Sequence, residues 1–185
     1  MRCEWIKLRW FAKKRSSERG FTIVELMMVM AIITVITLIS VANYHQGNLQ
    51  TVLDMQANQF AQDARRMQEW AMAAHQIGGA SFAGYGIHIS AGTSGSYKIF
   101  TDNVINGYFD GGDAVRQTVN LDGKIEVASA DSNPVSIDFV PPNPTTKISN
   151  DSATQLDTST IVFTLKGTSI ERRVTINRAG LIYVE

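Results

Sequence analysis

The chain changes its hydrophobic period twice. Leu26–Ala42 reads LMMVMAIITVITLISVA, an uncharged run in which only Thr34, Thr37 and Ser40 are polar. Extended back to Phe21, it takes in one charge, Glu25. As a helix rising about 1.5 Å per residue it covers about 33 Å, enough to cross a bilayer core. Beyond it Leu49, Val52, Leu53, Ala57, Phe60, Ala64, Met67, Ala71 and Ala74 recur at steps of three and four, with Asp54, Asp63, Arg65, Arg66 and Glu69 off that stripe. No proline precedes Pro134, and Gly47 is the only glycine between Phe21 and Gly78. The apolar helix is therefore expected to continue as an amphipathic one to about Gln76, for about 55 residues and roughly 80 Å, until Gly78-Gly79 stops it. Gly47 is the expected flexible point at the membrane exit.

From Gly84 the period becomes two. Strands are expected at Tyr85–Ser90, Tyr97–Phe100, Val115–Leu121, Lys124–Ala128, Val135–Val140, Thr160–Leu165, Glu171–Ile176 and Leu181–Val184. Leu121-Asp122-Gly123-Lys124 reads as a two-residue hairpin turn, and Pro141-Pro142-Asn143-Pro144 opens a polar loop to about Ser159. The expected fold is α+β: a long N-terminal helix, membrane half plus amphipathic half, packed on an antiparallel β-sheet head. Its segments are 1–20, a cytoplasmic leader; 21–42, the transmembrane half; 43–77, the amphipathic half; and 78–185, the head.

Charge fixes a direction. Lys plus Arg equals Asp plus Glu at 17 each, yet residues 1–20 carry seven basic and two acidic groups and residues 21–185 carry ten and fifteen. No Lys or Arg follows the apolar run until Arg65, so Lys/Arg asymmetry keeps the N-terminus cytoplasmic and sends the head across. The single cysteine, Cys3, lies in the basic end, which excludes an internal disulfide and a cysteine-based zinc site. An ordinary anchor and a secretory signal cut after Ser40-Val41-Ala42 both leave two features unexplained. One is Glu25, because a carboxylate in the bilayer interior costs about 2.5–3.5 kcal/mol and so calls for a partner. The other is the abrupt Arg19-Gly20-Phe21 junction.

Arg19-Gly20-Phe21-Thr22-Ile23-Val24-Glu25-Leu26 resembles the type IV prepilin signal. That resemblance implies a prepilin peptidase cutting after Gly20 and methylating the new N-terminus at Phe21, with Glu25 as an assembly residue. A staggered neighbour then presents its Phe21 amine to Glu25, and any other stagger leaves two charges unpaired in lipid. The helix-then-sheet order resembles a pilin or pseudopilin. The tail Glu171–Ile182, with Ala64-Arg65-Arg66-Met67-Gln68 and Gly84-Tyr85-Gly86-Ile87, is similar to the H-type minor pseudopilin and FimT-like family. The implied role is structural, in a type II secretion pseudopilus or a type IV pilus. The implied partners are other pilin or pseudopilin subunits and an inner-membrane assembly platform. The cysteine-free mature chain departs from major pilins that close a C-terminal loop with a disulfide.

The head offers one candidate ion site. Asp102–Asp113 reads DNVINGYFDGGD, which set against a twelve-residue calcium loop puts Asp102 at position 1, Asn106 at 5, Gly107 at 6, Tyr108 with its carbonyl at 7, Asp110 at 9 and Asp113 at 12. Val104 leaves position 3 without a ligand; the bland alternative is a solvated Asn/Asp/Gly turn. Arg172, Arg173 and Arg178 form a small basic cluster. FimT-like relatives are linked to DNA uptake, so these arginines are the candidate phosphate contacts of a DNA-binding minor pilin. The acidic mature chain and the nearby Glu171 and Glu185 weigh against nucleic acid. His45, His75 and His88 show no metal spacing, no nucleophile or phosphate loop emerges, and no enzyme is expected.

Overall fold

The computed structural model describes residues 20–92, 95–104, 106–130, 133–142, 145–150 and 154–185. Residues 1–19 of the expected leader, with Cys3, lie outside them. The chain divides into two compact units, Met1–Asn43 and Tyr44–Glu185. The fold is α+β, with one helix, α1 (Ile23–Met72), and ten strands among the described residues.

In the first unit, Ile23–Val41 is a 19-residue apolar stretch none of which is buried by the chain itself. Its hydroxyl residues are absorbed locally: Thr34, Thr37 and Ser40 each donate a hydroxyl to the carbonyl four residues back, at 2.7–2.9 Å. That removes their need for water and keeps the surface apolar.

In the second unit, Gly47 stays within α1, its carbonyl accepting the Thr51 hydroxyl at 2.9 Å. α1 ends at Met72, earlier than the Gly78-Gly79 stop expected from composition. Ala74 takes a left-handed φ of 43°, its N–H donates to Ala71, and the N–H of His75 donates to Trp70. This is the Schellman pattern with alanine where glycine is usual. Gly78 and Gly79, at φ 64° and 82°, serve instead a tight reversal closed by Ile77 and Ala80.

The head holds two antiparallel sheets where a single one was expected. The strands are β1 (Gly84–Ile89), β2 (Ser96–Asp102), β3 (Ala114–Asn120), β4 (Ile125–Ala130), β5 (Val135–Val140), β6 (Thr145–Asn150), β7 (Gln155–Leu156), β8 (Thr158–Leu165), β9 (Glu171–Asn177) and β10 (Ile182–Val184). Six form a sheet in the order β3-β2-β1-β5-β6-β7, and four form another in the order β10-β9-β8-β4. Asp122-Gly123 is therefore a crossing between sheets and not a hairpin, since β3 pairs with β2 and β4 with β8. The supposed polar loop after Pro141 contains β6 and β7; β6 pairs in full with β5 from Val135↔Asn150 to Val140↔Thr145.

Both sheets bury one face against α1. Leu53, Ala57, Phe60, Ala61, Ala64, Met67 and Ala71 are the buried helix positions, joined by alternate residues such as Ile87, Ile99, Ile137, Ile148, Ile161 and Val174. Phe60 sits between the sheets, its ring 5.1 Å from Tyr97 of β2 and 5.5 Å from Phe163 of β8. The C-terminal hairpin is tied to the helix by side chains on its polar flank. Arg65 donates to the Ile182 carbonyl at 3.1 Å, Gln68 to the Gly180 carbonyl at 3.2 Å, and Arg172 pairs with Asp54.

Candidate functional site

Two places carry chemistry: the start of α1 and the outer face of the six-stranded sheet. At the helix start, Gly20 and Phe21 precede the helix, and Phe21 is exposed. Thr22 caps it, its hydroxyl accepting the Glu25 N–H at 3.2 Å while its carbonyl accepts the Leu26 N–H. Thr22-Ile23-Val24-Glu25 is thus an N-cap followed three residues on by an acid. That signature was present in the sequence and Thr22 was missed. Glu25 lies in the first turn, where the helix dipole favours a negative charge, with its side chain exposed on the chain's own surface. The apolar side chains around it, from Ile23 to Val41, are 44–80% exposed. This surface must be covered by something other than the chain.

On the head, alternation sets Tyr85, Ile87, Tyr97, Ile99, Ile137 and Phe139 toward the helix and their neighbours outward. Much of the outward set is buried as well, because the segment after β2 folds back over it. Phe100, Asp102, Ser136, Asp138 and Ser149 are all at most 1% exposed. Phe109 lies on this face, 4.8 Å from the His88 ring and 5.2 Å from Phe100, and its N–H donates to the Ser136 hydroxyl at 3.1 Å. The Ser149 hydroxyl donates to the Gly107 carbonyl at 2.5 Å. The two glycines of Gly84-Tyr85-Gly86 are explained here. A β-carbon on Gly86 would collide with the Phe100 ring, and one on Gly84 with the Asp138 carboxylate.

The five candidate calcium ligands are brought into one loop, and each is engaged with it. Asp102 accepts the Val104 N–H at 2.8 Å and the Gly107 N–H at 3.3 Å. Asn106 accepts the Tyr108 N–H at 3.1 Å and donates to Asp110 at 2.6 Å. Asp113 accepts the Asn103 and Asp110 N–H groups at 3.2 and 2.9 Å. Gly107, at the sixth position, takes a φ of 79°, a turn that glycine makes without strain. Among the described residues no group of three or more His, Cys, Asp or Glu side chains is arranged to hold a metal ion. Asp138 belongs to no motif and was missed. It comes from β5, paired with Gly86, and its carboxylate reaches over Gly84, which pairs with Asp102. Burial first, and then the Asp102 carboxylate against it, push the Asp138 carboxyl up to about 7, partly offset by Lys147 opposite on β6. Burial likewise raises Asp113.

The three arginines are separate. Arg172 pairs with Asp54, Arg173 with Glu171, and Arg178 with Asp157 at 3.1 Å. Each of the three thus has an acidic partner, and all three pairs lie at the surface.

Comparison with known families gives two matches. Residues 15–41 match the prokaryotic N-terminal methylation motif, and residues 56–180 match the type II transport protein GspH. No curated protein and no solved structure matches the chain.

Proposed function

The chain belongs to the type II transport protein GspH family, and on that premise we propose that it is a minor pseudopilin. In this reading a prepilin peptidase cuts after Gly20 and methylates Phe21. The apolar half of α1 anchors the chain in the inner membrane with its N-terminus cytoplasmic. The head crosses, and an assembly platform draws the subunit into a filament with other pilin-like subunits. The observation that carries the reading is the bare apolar surface of Ile23–Val41, which begins on the Gly20-Phe21 junction and bears one acid, Glu25. Lipid covers such a surface before assembly and neighbouring helices cover it afterwards. The Lys/Arg asymmetry across it supports the orientation. Glu25 then supplies the register, since only one stagger sets it against a neighbour's Phe21 amine.

The test is fractionation of sheared filaments. The chain should co-sediment with the other subunits in cells that carry the peptidase, and stay in the membrane fraction in cells that lack it. Equal sedimentation in both would reject the proposal.

A further inference from the structure

A carboxylate buried in protein keeps its charge only with donors or a cation beside it. Asp138 is fully buried, and no N–H or hydroxyl donor reaches either of its oxygens; the Asp102 carboxyl is what lies within hydrogen-bonding reach. The group it faces is another fully buried carboxylate, Asp102, at the root of the Asp102–Asp113 loop. Lys147, paired with Asp138 across β5 and β6, only partly offsets this meeting of acids and is not among the ion pairs of the described residues. Gly84 keeps the space for this meeting: its missing β-carbon is where the Asp138 carboxylate lies.

We propose that Asp102 and Asp138 bind a calcium ion at the root of this loop, Asp102 from its first position and Asp138 from outside it. In the twelve-residue pattern the third position carries an oxygen ligand, and here Val104 has none to give. Asp138 on β5 makes good that loss from across the sheet. The remaining ligands that calcium needs would be neutral oxygens, water among them; calcium accepts six to eight oxygens in flexible geometry. Two carboxylates suffice for a hard cation in such a shell. The ion would join the loop to β5 as well as to β2, and so clamp the Phe109 cover onto the outer face. This site is independent of the membrane half and of the filament reading.

The test uses the full chain in detergent, with calcium chloride alone as probe and magnesium chloride as comparison. Head unfolding is followed by near-ultraviolet circular dichroism and binding by titration calorimetry. Calcium should bind at one equivalent and raise the Tm by about 5 °C or more at saturation, beyond any effect of magnesium. Asp138→Asn, of the same shape, should fold and lose the rise and the binding; Asp102→Asn should do likewise. A calcium rise undiminished in Asp138→Asn would overturn the proposal. So would a wild-type chain indifferent to calcium, whose stability in chelator falls as the pH rises toward 7. In that case the two acids share a proton, since a raised carboxyl stabilises the fold only while protonated.

Discussion

Glu25→Ala is expected to keep the chain out of the filament while leaving it in the membrane. The backbone loses nothing, because the Thr22 hydroxyl accepts the main-chain N–H of residue 25, which alanine also has. Alanine is also the better helix former. What disappears is the one acid in the apolar run, so insertion into lipid should be unchanged or easier. Assembly should suffer, because a neighbour's Phe21 amine, ordinarily titrating near ~7.7, then enters the helix bundle with nothing opposite it. Incorporation should fall by about tenfold or more, the effect of as little as ~1.4 kcal/mol per subunit contact. Thr22→Ala provides the contrast: it removes the cap oxygen, keeps the carboxylate, and should assemble. Quantitative immunoblotting of sheared filaments against membranes reads both variants. Wild-type incorporation of Glu25→Ala would remove the register role.

The second large effect is in the head. Phe60→Ala should destabilise it by about 3–5 kcal/mol, the usual loss on emptying a buried aromatic site, and lower its Tm by roughly 10–20 °C. Phe60 is fully buried, and its ring contacts an aromatic residue of each sheet, Tyr97 edge-on at 86° and Phe163 tilted at 57°. The surrounding frame resists collapse into the cavity. The Tyr97 hydroxyl is held by Asp63 at 2.6 Å, and burial together with that bond keeps its proton on. Met55→Ala on the same helix, at 64% exposed, should change stability by less than about 0.5 kcal/mol. Thermal melts of the full chain in detergent compare the two. Equal midpoints would mean that α1 does not join the sheets into one core.

The helix stripe and eight of the ten strands were legible because their periods are strong and their apolar residues face one core. Leu53, Ala57, Phe60, Ala64, Met67 and Ala71 fall where a step of three and four puts them. The strands β6 and β7 were not legible. Thr145-Thr146-Lys147-Ile148-Ser149-Asn150 follows prolines and has a single large apolar residue, so its pairing comes from β5 and from the loop it supports through Ser149. The division into two sheets was hidden for a related reason. Asp122-Gly123 makes a sound local turn whether the strands beside it pair or part, and only long-range packing decides. The helix stop was misplaced because Ala74 takes a conformation that composition assigns to glycine.

The candidate sites divide the same way. Gly20, Phe21 and Glu25 are contiguous and so could be found in sequence, and the loop from Asp102 to Asp113 has local spacing. Asp138 has neither. It meets Asp102 only because β5 and β2 flank β1, and because Gly84 lacks a side chain. No one-dimensional pattern connects residues 36 positions apart through a third strand.

The deciding measurement is the N-terminal mass of the chain recovered from membranes. The mature chain is expected to begin at N-methylated Phe21. An intact chain from Met1, or one that begins after Ala42, would contradict it.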